Sequence, residues 1–267
     1  MRFTLLPALA LLAPLTAMAV PAADPVLLEA VQNPLRTPKF VARDTVRHPA
    51  EELTFFGLRP DATVLEVWPG GGYWTEILAP YLLGHGTLYV ALPGGTDPDN
   101  VKEAAGFRAH IAANPAAFRH LRLVELGGGQ YAPVPAGSAD FVLTFRNVHN
   151  WMYEGDAGQM FASFYKALKP GGILGVEEHR GRADKPQDPK ANDGYVRQDY
   201  TISLAKQAGF ELVGSSEIDA NPKDTKDYPQ GVWTLPPSFA LGAKDHDKYA
   251  AIGEADNFVL KFRKPEH

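Results

Sequence analysis

The stretch "VLEVWPGGGYWTEILAPYL", residues 64–82, decides the fold of this chain. It opens with an apolar run that contains β-branched residues and is short enough to be a strand buried on both faces. Three consecutive glycines at 70–72 follow, and a backbone without Cβ atoms can turn sharply and approach a ligand closely. Residues 73–83 then predict a helix with Pro80 as a kink or early stop. The stretch therefore predicts a strand, a glycine turn and a helix.

The rest of the chain repeats this alternation of strands and helices. Together with 62–68, the predicted strands are 86–92, 120–126, 139–145, 172–178, 210–218 and 257–264. The other predicted helices are 24–33, 49–56, 97–113, 156–168 and 195–208. Such alternation implies βαβ units and a parallel sheet, whose right-handed crossovers place the carboxyl ends of the strands at one edge. We expect five loops to meet there around one cleft, those after Glu66, Ala91, Leu126, Phe145 and Glu178.

The composition is that of an ordinary globular protein, and the N-terminal sequence predicts an export signal. The 267 residues are 45% hydrophobic and 21% charged, with a net charge of −5. That charge argues against nucleic-acid binding, which needs a basic excess. Arg2 precedes an apolar run and then Ala17-Met18-Ala19, the pattern of a secretory signal with its cleavage site. We predict a signal peptide at 1–19, a periplasmic protein, and no stable membrane insertion after cleavage; the alternative is an uncleaved membrane anchor.

The remainder, residues 20–267, is predicted to be one domain. Its first part, 20–60, is expected to form a helical cap, and loop insertions are expected at 181–194 and 219–256. A loop as long as the second is usually either functional or mobile. Some polar residues of the cap are expected either to line the cleft or to lie on a solvated helix face: Arg43, Asp44, Arg47 and His48.

Three motifs resemble those of one enzyme family. The pattern E-x-x-x-G-x-G runs from Glu66 to Gly72, "PVPAGSADFVLTFRNVHNW" occupies 133–151, and "ALKPGGILGVEE" occupies 167–178. In order and spacing they resemble class I S-adenosylmethionine-dependent methyltransferases, over roughly residues 45 to 265. The first motif is especially similar to a bacterial group of predicted methyltransferases with leader peptides. The resemblance implies an α/β fold: a Rossmann-like, doubly wound, seven-stranded sheet, mostly parallel with an antiparallel last strand, and helices on both faces.

The resemblance also implies a site for S-adenosylmethionine. The implied cofactor contacts are Glu66, Gly70, Gly71, Gly72, Tyr73, Gln130 and Asn147. The helix amides from Tyr73 onward would face an anionic group of the ligand. The sequence departs from the family pattern at three places. Trp68 stands where the family often has a glycine, and the second strand ends in "ALPGG" instead of the acid that holds the ribose, with Asp97 and Asp99 further along. After the third strand, "GGGQY" replaces the acid that contacts the adenine, and Gln130 is the nearest polar candidate.

The predicted chemistry centres on the loop after the fourth strand. His149 is expected near the methyl group as a general base, since an imidazole titrates near neutral pH; the alternative is a histidine that only orders the loop. Some polar and aromatic residues of the same edge are predicted to contact substrate: Arg146, Trp151, Glu178 and His179. No metal is expected, because the adjacent residues Glu178 and His179 of a strand should point to opposite faces.

Three functions are compatible with these patterns. The first is an S-adenosylmethionine-dependent methyltransferase that acts on an unknown small molecule. The second is a non-catalytic ligand-binding protein of the cell envelope built on the same fold, because fold does not dictate function. The third, a nicotinamide-dependent oxidoreductase, ranks last, since Thr75 replaces the final glycine of G-x-G-x-x-G. The expected partner is a small-molecule substrate, without nucleic acid.

Overall fold

A seven-stranded sheet organises the protein, and the computed structural model describes residues 23–266. The strands are β1 Thr63–Val67, β2 Thr87–Pro93, β3 Arg122–Leu126, β4 Ala139–Phe145, β5 Leu168–His179, β6 Glu211–Ser216 and β7 Asn257–Arg263. Their order across the sheet is β3-β2-β1-β4-β5-β7-β6. The first five are parallel, and β7 is antiparallel to both of its neighbours. The predicted fold class is confirmed, whereas the signal peptide predicted at 1–19 lies outside the described residues.

The helices lie between the strands and before the first of them. They are α1 Pro25–Val31, α2 Pro38–Val41, α3 Asp44–Arg47, α4 Pro49–Phe56, α5 Thr75–Tyr81, α6 Pro98–Ala113, α7 Pro115–Phe118, α8 Val148–Glu154, α9 Ala157–Ala167, α10 Gln198–Gln207 and α11 His246–Ile252. α6 begins as its sequence predicts, because the Asp97 carboxylate accepts the amide hydrogens of Asp99 and Asn100. Within residues 23–266, no helix is long and apolar enough to cross a membrane.

Hydrophobic cores cover both faces of the sheet. One core joins the sheet to the helices before β1 and to α5 and α6, with Leu53, Phe56, Ile77, Leu78 and Phe107 among its buried residues. The other joins it to α8, α9 and α10, with Trp151, Phe161, Phe164 and Ala205 among its members. β1 lies between them, and its successive side chains enter alternate cores, as in any strand. This is why the sequence of β1 is a continuous apolar run.

Several short helices are not evident from the sequence. α8 is the most important, because it places His149 in a helical turn and not in the predicted loop. Its sequence, VHNWMYE, contains β-branched, aromatic and asparagine residues of modest helix propensity. The helix forms because Trp151, which is fully buried, packs between Trp68 and the α9 residues Phe161 and Phe164. Tertiary packing therefore decides this helix.

The segment 219–256, predicted to be a loop, contains regular structure. A 3₁₀ helix spans Gly231–Thr234, and α11 follows. A small hydrophobic cluster anchors the segment, made of Tyr195, Val232, Leu235, Tyr249 and Ala255. The prediction of an unstructured insertion is thus wrong for part of 219–256, because these apolar residues are too widely spaced to show a helical period. Residues 181–194 are irregular, as expected.

Candidate functional site

One cleft lies at the carboxyl end of the sheet, where the strand order reverses between β1 and β4. Ligands of open α/β sheets bind at such a switch point. The cleft has a volume of about 300 Å³, at the lower end for small-molecule sites. Its walls come from the ends of β1, β4 and β5, from the segment 40–47 and from the segment 232–238. Of the predicted site residues, these line it: Glu66, Gly70, Gly71, Tyr73, Arg146, Asn147, His149 and His179.

The glycine turn supplies one wall of this cleft. Gly70 has a φ of 55°, and a Cβ added there would meet no atom of residues 23–266 within 4 Å, so open space lies beside it in this part of the chain. Gly72 instead faces away from the cleft, where a Cβ would lie 3.1 Å from the His110 ring. The following helix begins at Thr75 and has seven residues. Tyr73 precedes it and donates its hydroxyl hydrogen to Asp44 at 2.7 Å, so the Tyr73 ring forms part of the wall.

Glu66 lies at the floor of the cleft in an apolar setting. Its side chain is fully buried, and one carboxyl oxygen accepts a hydrogen bond from the Thr75 hydroxyl at 2.7 Å. The other oxygen, Oε1, has no hydrogen-bond partner within residues 23–266. Burial raises the pKa of Glu66 to about 8, so the ligand-free protein holds this carboxyl in its protonated form at neutral pH. A cationic group placed beside it would draw the proton off.

Trp68 fills the space next to the turn. Its indole is 4% exposed, and its Nε1–H donates to the carbonyl oxygen of Leu126 at 2.9 Å. A Cβ on Gly127 would lie 3.2 Å from the indole ring. Trp68 has a φ of 49°, a left-handed conformation that is costly for a bulky residue. The indole therefore lies across the ends of β1 and β3, in the direction where the family resemblance places the adenosine.

The ends of β2 and β3 do not reach the cleft. A Cβ at Gly128 would lie 2.4 Å from the Cα of Gly95, so the two loops pack backbone to backbone. Gln130 pairs with Gly127 in a tight turn and is exposed, which places it outside the cleft. Asp97 is engaged as the cap of α6. Five loops are predicted to meet at the cleft. The loops after β1, β4 and β5 do so, whereas those after β2 and β3 do not.

Asn147 and Trp151 stabilise the structure around the cleft. The side-chain amide of Asn147 is buried and donates to the carbonyl oxygens of Val67 and Trp68, both at 3.1 Å. These bonds hold the end of β1 in its unusual conformation. Trp151 is 0% exposed in the core beneath the cleft and is not positioned to contact a substrate. The predicted substrate contact at Trp151 is therefore corrected to a core position.

His149 is held by the carboxylate of Glu178. Nδ1 of His149 lies 3.0 Å from Oε1 of Glu178, and the main-chain N–H of His149 donates to Oε2 at 3.1 Å. Glu178 is fully buried; although burial alone raises a carboxyl pKa, the adjacent imidazole of His149 lowers the pKa of Glu178. With Nδ1 directed at an ionised carboxylate, the other ring nitrogen of His149 is left as a proton acceptor.

His179 lies beside His149 despite the strand alternation. The two ring centroids are 5.5 Å apart, and Nδ1 of His179 lies 2.7 Å from Oδ1 of Asn257. Burial lowers the pKa of His179 to about 3, so its imidazole is neutral. Glu178 reaches the same place because it bends back along its own main chain, where Oε1 accepts the N–H of His179 at 2.7 Å. The prediction that strand alternation keeps the side chains of Glu178 and His179 apart is therefore wrong.

Three arginines that line the cleft join the helical cap to the sheet. Nη2 of Arg47 lies 2.9 Å from Oε2 of Glu177, which is fully buried on β5. Arg146, whose φ of 62° is left-handed, lies between Glu177 at 3.7 Å and Glu254 at 3.0 Å. Arg43 also binds Glu254, at 2.6 Å. Although burial alone raises the pKa of Glu254, the hydrogen bond from Arg43 and the charge of Arg146 lower it to about 2.

Two further carboxyls complete this cluster. Asp219 lies 2.9 Å from Nδ1 of His48, and burial together with the charge of Glu177 raises the pKa of Asp219 to about 6. The same two causes raise the pKa of Glu52. In this cluster Arg43, Arg47 and Arg146 pair with Glu177 and Glu254, and His48 pairs with Asp219.

Comparison with solved structures assigns the fold. No protein-family model matches the chain, and no curated protein matches it. An S-adenosylmethionine-dependent methyltransferase from Aquifex aeolicus has a TM-score of 0.56 at 15% identity, over 89% of this chain and 97% of that one. The fold is that of class I methyltransferases. At such identity the similarity establishes the fold alone.

The fold hosts more than one reaction among its solved members. The [4+2]-cyclase SpnF has a TM-score of 0.57 at 17% identity, over 90% of this chain and 92% of that one. An arsenic(III) S-adenosylmethionine methyltransferase from Chlamydomonas reinhardtii has a TM-score of 0.50 at 14% identity, over 91% and 74% respectively. The reaction of this chain must therefore be argued from its own cleft.

The cleft fits one half of S-adenosylmethionine. Open space beside Gly70, and the Glu66 oxygen that lacks a hydrogen-bond partner within residues 23–266, are compatible with the amino-acid end of that molecule and its ammonium group. The adenosine half does not fit where the family resemblance places it. There the Trp68 indole occupies the space, β2 ends without an acid, and Gln130 lies outside the cleft.

Some site residues are not predicted by the sequence. Trp233 lies over the cleft with its ring 6.0 Å from that of His149, and Asn257 holds His179. Glu177 is a charge in the middle of an apolar strand, a signal that can be recognised in the sequence. Glu254 lies in an irregular segment, where neither period nor motif points to it.

Proposed function

We propose that this protein is an S-adenosylmethionine-dependent methyltransferase that acts on a small molecule. The observation that carries the proposal is the cleft beside Gly70, with the unpartnered carboxyl oxygen of Glu66 at its floor. The class I fold and the position of the cleft at the switch point support it. The similar structures supply the fold alone, so the activity rests on these residues.

The protein's part in methyl transfer is positioning and proton removal. When bound, the cofactor supplies an electrophilic methyl group, and the cleft must hold the acceptor in line with it. His149, oriented by Glu178, is proposed to take the proton of the acceptor. Arg146 and His179 line the same cleft and are proposed to contact the acceptor. A cleft of about 300 Å³ limits the acceptor to a small molecule.

Binding of S-adenosylmethionine is expected to depend on pH through Glu66. The ammonium group favours ionised Glu66, whereas the free protein keeps that carboxyl protonated below a pKa of about 8. Binding therefore releases a proton, and affinity should rise by up to about tenfold per pH unit up to about pH 7, above which the ammonium group of the ligand begins to deprotonate. Calorimetric titration with S-adenosylmethionine and S-adenosylhomocysteine at several pH values measures this. The Glu66→Gln variant should bind more weakly at about pH 7, with an affinity that does not change with pH below that value.

Trp68→Gly serves as the second variant in the same titration. Glycine suits the left-handed φ of 49° at this position, and its substitution opens the space toward β3. Affinity for S-adenosylmethionine should increase by about tenfold if the indole obstructs the adenosine. Circular dichroism checks that the variant is folded. Absence of binding to both wild type and Trp68→Gly at millimolar ligand would refute the proposal and leave the non-catalytic binding protein as the alternative.

The proposal includes export to the periplasm. The motivation is the n-region, apolar run and Ala17-Met18-Ala19 site of the sequence. A C-terminally tagged copy is expected in the periplasmic fraction, with the mature chain starting near residue 20. A copy with Arg2 and the apolar run deleted is the control and should stay in the cytosol. Recovery of the intact full-length chain from the cytosol would refute export.

A further inference from the structure

We infer that His149, Glu178 and His179 form a binding site for a divalent transition-metal ion, with Zn²⁺ as the reference ion. One nitrogen of each imidazole and one oxygen of the carboxyl lie within 4.8 Å of one another. Two histidines and one carboxylate are a donor set that Zn²⁺ and related first-row ions use in catalytic sites. The inference deepens the proposed function, because the ion would lie in the same cleft as the acceptor.

One of the distances in the cluster matches that between neighbouring ligands of one ion. Zn²⁺ holds nitrogen and oxygen ligands at about 2.0–2.2 Å, so two neighbouring ligands lie about 3 Å apart. Nδ1 of His149 and Oε1 of Glu178 are 3.0 Å apart. An ion bound between them would displace the proton that they now share, and that proton would leave to solvent.

Supporting hydrogen bonds already fix the three side chains. Nδ1 of His179 is engaged by Asn257 at 2.7 Å, which leaves Nε2 as its ligand atom. Glu178 accepts the main-chain N–H groups of His149 and His179, at 3.1 and 2.7 Å. Such outer contacts orient the ligands of metal sites and set the tautomer of each histidine. These hydrogen bonds would therefore orient the three side chains around an ion.

The site lies at the cleft, so coordination positions of a bound ion would be open to molecules in the cleft. His149 and His179 both line the cleft, whereas Glu178 is fully buried behind them. Three protein ligands with the remaining position facing a cleft characterise catalytic metal sites. We therefore expect the acceptor to be a molecule with an oxygen or sulfur donor that binds the ion directly. The ion would then lower the pKa of that group, which the imidazole of His149 otherwise deprotonates.

Zn²⁺ titration of the chelator-treated, full-length mature protein tests the inference without any cofactor. One equivalent should bind with micromolar affinity or tighter, and Mg²⁺, which prefers oxygen ligands, should not compete. His149→Ala, Glu178→Ala and His179→Ala should each weaken binding at least tenfold, and Asn257→Ala by about tenfold or more. His246→Ala is the control, because His246 lies exposed on α11, and it should bind as the wild type does.

Co²⁺ provides a readout that is independent of affinity. Its visible absorption should show fewer than six ligands in wild type and should change in His179→Gln, whose folding is checked by circular dichroism. Absence of Zn²⁺ binding at stoichiometric concentrations, or binding that His149→Ala and His179→Ala leave unchanged, overturns the inference. Because S-adenosylmethionine is titrated separately in the presence of chelator, failure of the metal site and failure of the methyltransferase proposal are distinguishable.

Discussion

At alkaline pH the Glu66→Gln variant is expected to be more stable than the wild type, by about 4 kcal/mol. The pKa of Glu66 is about 8 in the folded protein, against 4.5 for the exposed side chain. The folded state therefore binds the proton more tightly, and the wild type loses stability as pH rises from 4.5 to 8. Glutamine is neutral at every pH and keeps an oxygen for the Thr75 hydroxyl. Below the unfolded pKa the two proteins should differ little.

The measurement is the difference in unfolding free energy between Glu66→Gln and wild type, from urea titrations across this pH range. Taking the difference cancels the contributions of Asp219 and Glu52, which titrate in both proteins. Glu211→Gln, on the exposed edge strand β6, is the matched control and should change the unfolding free energy by less than about 1 kcal/mol. A flat difference for Glu66→Gln would show that Glu66 is ionised in its buried position.

Replacing Arg47 by methionine is expected to destabilise the protein by about 3–5 kcal/mol. The guanidinium is 4% exposed and lies 2.9 Å from Glu177, and it also packs 4.2 Å from the ring centroid of Tyr73. Methionine preserves most of the apolar volume but leaves Glu177 buried, with Arg146 at 3.7 Å as its remaining cation. The loss follows from an uncompensated charge more than from a lost contact.

Arg263→Met is the matched control for Arg47→Met. Arg263 pairs with Glu211 at 3.2 Å, and both side chains are about half exposed, so its loss should cost less than about 1 kcal/mol. Adding Glu177→Gln to Arg47→Met should restore part of the stability, because the charge left alone is then removed. Urea unfolding measures all four proteins. A loss below about 1 kcal/mol for Arg47→Met would mean that water or another cation reaches Glu177.

The ion pairs of Arg43 and Arg47 also connect the helical cap to the cleft. Arg43 and Arg47 belong to the cap segment 40–47, and both line the cleft while their charges bind Glu254 and Glu177. Asp44 holds Tyr73, which forms another part of the wall. The cap is therefore fixed over the site by buried ion pairs. Loss of these ion pairs should weaken both ligand binding and stability.

The sequence alone determined the sheet and the glycine turn. Largely apolar runs such as those of β1 and β4 are expected where a strand is buried on both faces, and the alternation of strands with helices along the chain predicts the others. The cap of α6 at Asp97 is equally local, since a carboxylate three residues before an amide makes the same contact in any fold. His149 and His179 also lie at the predicted edge, because strand ends are fixed by the topology.

The tertiary structure alone decided what the cleft contains. Whether Trp68 faces solvent, ligand or core depends on Leu126 and Trp151, which lie far away in sequence. The pairing of His149 with Glu178 depends on a helix that forms only because Trp151 is buried. Local propensity acts over a few residues, whereas packing and charge balance act between segments that the fold brings together. For this reason the position of the site follows from the sequence, and its chemistry follows from the packing.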